Sequence, residues 1–245
     1  MKNRGGKGRR PAVWRVFEPG CIDYAEALEL QHRLVAARKS RALDTDLLMV
    51  LEHPPVFTLG RRGGRENLIV SSDFLARSGV EVIQTERGGN ITYHGPGQLV
   101  AYLILDLEAA RLGVKDLVYL LEEAMLRTAA GWSIAATRSP VNHGIWVGGS
   151  KMGSIGIAIR RGITYHGLAL NVDPALEPFS WINPCGLAGV GVTSLKQASG
   201  LAPDMRSVQP VFKTHIQTVF GTELVAMEPA EVSRLTMSEK QEDLK

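Results

Sequence analysis

The residues best suited to chemistry fall in three glycine-rich segments, 87–98, 148–156 and 182–189, which hold ten of the chain's 26 glycines. Glycine permits unusual backbone angles and lets the main chain approach a ligand closely. In the third segment, Asn183-Pro184 before Cys185 and Gly186 after it predict a turn that presents a thiol rather than packing it, so Cys185 is the candidate nucleophile. Cys21, among ordinary residues at the start of the first predicted helix, reads as structural. Lys151 in Gly149-Ser150-Lys151-Met152-Gly153 would ordinarily be a solvated surface lysine, but its flanking glycines suggest a close-packed backbone and favour a role. His94 and His166 each follow a tyrosine. The simpler reading is a hydrogen-bonded structural histidine, and the sharper one a group that orients Lys151 or acts as general base. The first segment carries neither the glycine spacing of a dinucleotide-binding turn nor that of a phosphate loop. No Cys or His pair stands at ligand spacing, so no metal site is expected.

Those segments belong to a chain of ordinary globular composition, with 44% hydrophobic and 22% charged residues in 245. No apolar run approaches the roughly 20 residues that span a bilayer, and no apolar stretch follows the basic N-terminus to make a secretory signal. Two cysteines do not make a disulfide framework; a reducing, cytoplasmic setting is expected. The net charge of +3 is a property of the N-terminus: residues 1–10 carry five basic groups and no acid, which leaves −2 for the remainder. Residues 1–12 are expected to form a disordered basic arm that could help steer an acidic carrier protein. The basic residues are not spread over a folded face with interleaved aromatics, so neither a nucleic-acid nor a membrane partner is expected.

The elements that must position the three segments can be read from periodicity. Asp23 and Glu26 open a helix to about Arg38. Strands are predicted over 47–51, 80–83, 99–107, 133–137, 144–147, 152–159 and 163–172, and helices over 114–130 and 208–220. Residues 13–220 read as a single catalytic domain and 221–245 as a polar tail. Strands and helices mix without regular alternation, which predicts an α+β (mixed α/β) fold. Arg160-Arg161-Gly162 reads as a hairpin turn. With Arg161-Gly162 at its tip, Gly156 faces Gly167 and Ser154 faces Ala169, and a flexible apolar chain could lie along the bare strip this leaves. A register shifted by one residue would put the small residues on opposite faces.

The motifs RGGNITYHGPGQ at 87–98, GSKMGSIG at 149–156, TYHGLALNV at 164–172 and NPCGL at 183–187 together resemble the lipoyl(octanoyl) transferase family, also called the lipoate–protein ligase B type. The resemblance covers about residues 13–220. It implies a biotin/lipoate protein ligase-like fold, a mixed sheet flanked by helices. It also implies octanoyl transfer from acyl carrier protein, through a thioester on Cys185 with Lys151 as its partner, to a lysine of a lipoyl domain. The acceptors implied are the lipoyl domains of 2-oxoacid dehydrogenase complexes and the glycine cleavage H protein. Carried over by position, Arg87, Gly88, Gly89, Asn90, Ile91, Thr92, Tyr93 and His94 line the substrate pocket with Ser154, Ile155, Gly156, Gly167, Leu168 and Ala169. The thioester donor arrives activated, so no nucleotide or other cofactor is implied. A free thiol is only about 3% thiolate at pH 7. An ammonium nearby raises that share, but the lower basicity returns most of the gain and leaves about threefold, so Lys151 is expected to matter more as a proton carrier. Two other readings remain open: an ATP-dependent lipoate or biotin ligase, and a non-catalytic lipoate-binding or scaffold protein.

Overall fold

The computed structural model describes residues 12–140, 142–183 and 191–237. Eleven strands in the described residues are β1 (Ala12–Cys21), β2 (Asp46–Glu52), β3 (Val56–Leu59), β4 (Glu81–Gln84), β5 (Ile91–His94), β6 (Gln98–Ile104), β7 (Thr137–Arg138), β8 (Gly144–Val147), β9 (Ser150–Arg160), β10 (Ile163–Asn171) and β11 (Thr222–Ala226). The helices are α1 (Tyr24–Ser40), α2 (Ser72–Ser78), α3 (Leu107–Ala110), α4 (Val114–Ala130), α5 (Leu195–Ser199), α6 (Met205–Phe220) and α7 (Pro229–Met237).

Eight strands form one mixed sheet in the order β11-β1-β2-β6-β10-β9-β8-β7, and β4-β3-β5 form a second, smaller one. In the large sheet β1 runs parallel to β2 and β11, whereas the pairs from β2 through β7 are antiparallel. Both faces of the large sheet are covered. Leu48, Val50, Leu99, Leu103, Leu168 and Leu170 meet Leu117, Leu121 and Met125 of α4 and Phe212 and Ile216 of α6. On the other face Leu47, Met49, Leu51, Val100 and Ile104 meet Leu34 and Val35 of α1 and Val232 of α7. That double cover explains why β2 and β6 are near-continuous apolar runs without alternation. Each such fully buried side chain contributes roughly 1.5–3 kcal/mol.

Local signals behave as their chemistry requires. Asp23 caps α1 by accepting from the N–H groups of Ala25 and Glu26. The β9–β10 hairpin turns at Arg161 and Gly162, both at positive φ (52° and 86°), as a two-residue turn requires. Its register pairs Gly156 with Gly167 and Ser154 with Ala169.

Three expectations are corrected. Residues 133–137 do not form a strand: α4 ends in a turn with Ser133 at φ 59°, and only Thr137–Arg138 pair, with β8. Cys21 ends β1 rather than beginning a helix, and it is exposed. Residues 222–237 are not a loose tail, because β11 adds to β1, α7 packs on α1 through Val232 and Leu235, with Met227 just before it in the same cluster, and Arg15 of β1 is paired to Glu231. Met227 and Val232 suffice because they are buried in the core with Leu224 and Leu235 packed against it, which a polar average conceals. Among the described residues, no helix is long and apolar enough to cross a membrane.

Candidate functional site

A cavity opens on the α1 side of the large sheet, between β9 and β10 beneath and residues 87–94 above. It is lined by Arg87, Gly88, Gly89, Asn90, Ile91, Thr92 and His94 from above and by Ser154, Ile155, Gly156, Gly167, Leu168 and Ala169 from below. Tyr93 is the one pocket residue implied by the resemblance that does not line it. By strand alternation its ring turns away to pack on Phe57 and Phe179, each with ring centroids 5.4 Å apart.

The roof is clamped by Arg87, only 8% exposed. Its guanidinium donates to Thr58 Oγ1 and to the Thr58 carbonyl at 2.6 Å, and to Gly88 O at 3.1 Å. Gly88 N–H donates to Ile157 O at 2.9 Å, so the roof is hydrogen-bonded directly onto β9. This is why position 156 carries no side chain: a Cβ there would lie 2.9 Å from Gly88 O. The bare strip expected from the hairpin register is therefore partly covered by main chain at Gly156 rather than left wholly open.

Lys151 reaches this face through a one-residue bulge. Trp146 pairs with Lys151 and Ile145 with Gly153, which makes Met152 an extra residue on β9. Met152 joins the core under α4, and the parity of the strand flips, so Lys151 shares the cavity face with Ser154 and Gly156. Lys151 is 8% exposed. Its Nζ donates to Asn142 Oδ1 at 2.7 Å and lies 5.4 Å from the centroid of the Trp146 ring, an arrangement that suits a cation. Its main chain is held on both sides: Lys151 N–H donates to Gly191 O, and Thr193 N–H donates to Lys151 O. The loop carrying Asn142 is tied to α4 by Glu122, a buried carboxylate that accepts from Gly144 N–H at 2.9 Å and pairs with Arg138.

Cys185 and residues 184 and 186–190 lie outside the described residues. The chain is held on either side of them, and on the downstream side it is held at the cavity. Asn183 N–H donates to Asn67 O, and Val192 forms a parallel bridge with Lys151 and lines the cavity.

Three histidines meet at the inner end, with Tyr24 and Tyr102. His53 donates from Nδ1 to Ile22 O and accepts from the Tyr102 hydroxyl, both at 2.7 Å. His94 donates from Nδ1 to Gln98 Oε1 at 2.6 Å and faces the Thr58 hydroxyl through Nε2. Gln98 continues to Asn171, Asn171 to Thr193 O, and Thr193 to Lys151, so one polar chain links the inner end to the lysine. Both ring nitrogens of His94 thus have partners. His166 is different, with neither ring nitrogen bonded within the described protein although the residue is only 1% exposed. Burial keeps all three rings neutral: it lowers His53 to about 4, His166 to about 3, and His94 well below its ordinary value. The same burial pushes Tyr24 up to about 12 and Tyr102 well above the phenol range.

Sequence reasoning passed over Asn142, Glu122 and Thr193, and it met Gln98 and Asn171 only as motif positions without a role. Their neighbours are brought by folding, and no spacing rule marks those roles. No group of three or more His, Cys, Asp or Glu among the described residues could hold a metal ion.

The site as it stands can hold an extended, largely apolar chain with an amine at one end and neutral rings at the other. Residues 23–217 match the family model of the lipoyl protein ligase A/B catalytic domain. An octanoyltransferase of Desulfotalea psychrophila is 48% identical over 204 residues, covering 82% of this chain and 92% of the relative. Among solved structures, the bipartite lipoate protein ligase of Thermoplasma acidophilum superposes with a TM-score of 0.72 at 14% identity, over 94% of this chain and 92% of that one. A biotin protein ligase from Aquifex aeolicus, in complex with biotin and ATP, superposes at 0.51 and 12% identity, over 84% and 70%. These two likenesses place the mixed sheet and its helices in a shared fold. With a family model spanning most of its length and a relative nearly half identical, the chain belongs to the lipoyl protein ligase A/B catalytic domain family.

Proposed function

We propose that this protein is an acyltransferase that moves an octanoyl group from octanoyl-acyl carrier protein to a lysine of a lipoyl domain, the first step of endogenous protein lipoylation. The acceptors are the lipoyl domains of 2-oxoacid dehydrogenase complexes and the glycine cleavage H protein, and no cofactor takes part. The observation that carries the reading is the placement of Lys151. A strand bulge, a carbonyl acceptor on Asn142 and two main-chain bonds hold its amine at the mouth of a narrow slot. The named activity of the relative at 48% identity supports the same chemistry.

In this mechanism the Cys185 thiolate attacks the donor's thioester carbonyl. A new carbon–sulfur bond forms, and the carrier's sulfur leaves with a proton from the Lys151 ammonium. The acceptor lysine then attacks the acyl-Cys185 carbonyl, a carbon–nitrogen bond forms, and the Cys185 sulfur leaves as thiolate. The proton released by the incoming amine returns to Lys151, which restores the starting pair. Both large partners visit one mouth in turn.

The test is intact-mass measurement after incubation with octanoyl-acyl carrier protein in the absence of ATP. An octanoyl adduct that maps to Cys185, disappears in Cys185→Ser and is discharged by a lipoyl domain is expected. Labelling of a lipoyl domain only with free octanoate and ATP would replace this reading with an adenylating ligase. Unchanged function in a Cys185→Ser, Lys151→Met double variant would leave only a binding or scaffold role.

A further inference from the structure

His166 is out of place in its strand. Along β10, Leu168 and Leu170 point under α4 while Tyr165 and Ala169 point to the α1 side, so alternation would send His166 under α4. It has φ 56°, a left-handed conformation uncommon for a side-chain residue in a strand. The turn in the backbone sets its ring beside that of the preceding residue, stacked on Tyr165 with centroids 4.9 Å apart, edge-on to Tyr102 at 5.9 Å, and at the cavity wall. The conformation is held by Gln31 of α1, whose Oε1 accepts from His166 N–H at 2.7 Å, while the register partner Ile157 gives its carbonyl to Gly88 of the roof. Strain of this kind persists only where surrounding structure fixes it, and it aims a polar ring into the cavity with neither nitrogen bonded to described protein.

We propose that His166 is the end stop of the acyl slot, a specificity-determining residue that limits the chain to about eight carbons; this rests on the acyltransferase reading above. The dimensions agree. Lys151 folds back toward Gly144, where a Cβ would lie 3.1 Å from its Cε, and Gly144 is the register partner of Ser154. His166 is opposite Ile157. The three residues from Ser154 to Ile157 cover about 10 Å of strand. An extended eight-carbon chain spans about 9 Å across its seven carbon–carbon bonds of about 1.5 Å. A chain of that length ends short of the imidazole and leaves its nitrogens to water. A longer one presses methylenes onto both nitrogens, which then lose every partner, and that loss discriminates against it.

The experiment measures single-turnover acylation by octanoyl-, decanoyl- and dodecanoyl-acyl carrier protein, read by intact mass, in wild type, His166→Ala, His166→Asn and Gln31→Met. Asparagine tolerates the left-handed backbone, so His166→Asn keeps the test alive if alanine unfolds the strand, and melting curves check each variant. The decanoyl-to-octanoyl rate ratio is expected to rise on the order of tenfold in both His166 variants, and by less in Gln31→Met. A ratio unchanged in all folded variants, with wild type still taking octanoyl, overturns the end stop alone. Wild type that takes no acyl group from any donor removes the acyltransferase reading and this proposal with it.

Discussion

In the proposed mechanism Lys151 acts as a held amine rather than a loose charge. Its Nζ is fixed by Asn142 at 2.7 Å and by the Trp146 ring, and its backbone is bonded on both sides to residues 191–193. Activation of a thiol by a neighbouring ammonium is worth only about threefold once the lost basicity is counted. A carrier thiolate is a good leaving group with or without that proton, whereas an incoming amine must lose one to form the amide, and handling it is typically worth about 100-fold or above. Lys151→Met is therefore expected to slow transfer from the acyl-enzyme to a lipoyl domain by at least about tenfold more than it slows acylation. Rapid-quench measurement of the two half-reactions decides this, and equal losses in both would contradict it.

At the scale of elements, the site depends on departures from regular strand geometry. The Met152 bulge brings Lys151 to the cavity face, and the left-handed turn at His166 brings a second polar group there. The roof meets β9 so closely that its main chain occupies the space of a side chain at position 156. Gly156→Ala would place a methyl 2.9 Å from Gly88 O, and neither that carbonyl nor Arg87 behind it can yield without breaking the bonds to Ile157 and Thr58. A loss of about 1–3 kcal/mol is expected, with a raised KM for acyl donor. A thermal melt and a donor titration read the two effects, and an unshifted melt with unchanged KM would show the roof to be more pliant than its bonds imply.

For the molecule as a whole, burying three neutral histidines makes stability depend on acid. Each has a folded pKa below its unfolded value near 6.5, so protons bind preferentially to the unfolded chain as the pH falls below that value. Their contribution is complete above pH 6.5 and is lost toward the folded values, about 4 for His53 and about 3 for His166. Three such groups give a slope on the order of 4 kcal/mol per pH unit near pH 5. Asp46, whose carboxyl is pushed up by burial, acts in the opposite sense, but it is one group against three. Against a typical stability of about 5–15 kcal/mol, cooperative unfolding is expected before pH 4. Melting temperatures recorded from pH 7.5 to 4.5 should fall steeply below 6.5; a flat profile would mean that the rings take up protons in the folded state.

The sequence by itself determined the central strands β2, β6, β8, β9 and β10, the long helices α1, α4 and α6, the hairpin turn at Arg161-Gly162 and, through four motifs in one order, the family, but not β1, β3, β5 or β11. These are local or pattern-borne properties: positive φ at a turn, a period of two or 3.6, and glycines where main chains meet. Only the tertiary structure decided which face each polar group uses. Lys151 and His166 both violate simple alternation, one through an inserted residue and one through a left-handed backbone, and no composition rule announces either. It also separated His94 from His166, alike in sequence after a tyrosine but opposite in bonding, and recruited Asn142, Glu122, Asn171 and Thr193 from distant segments. Such partners are set by the packing of sheet, helix and roof against one another, and sequence distance carries no record of that packing.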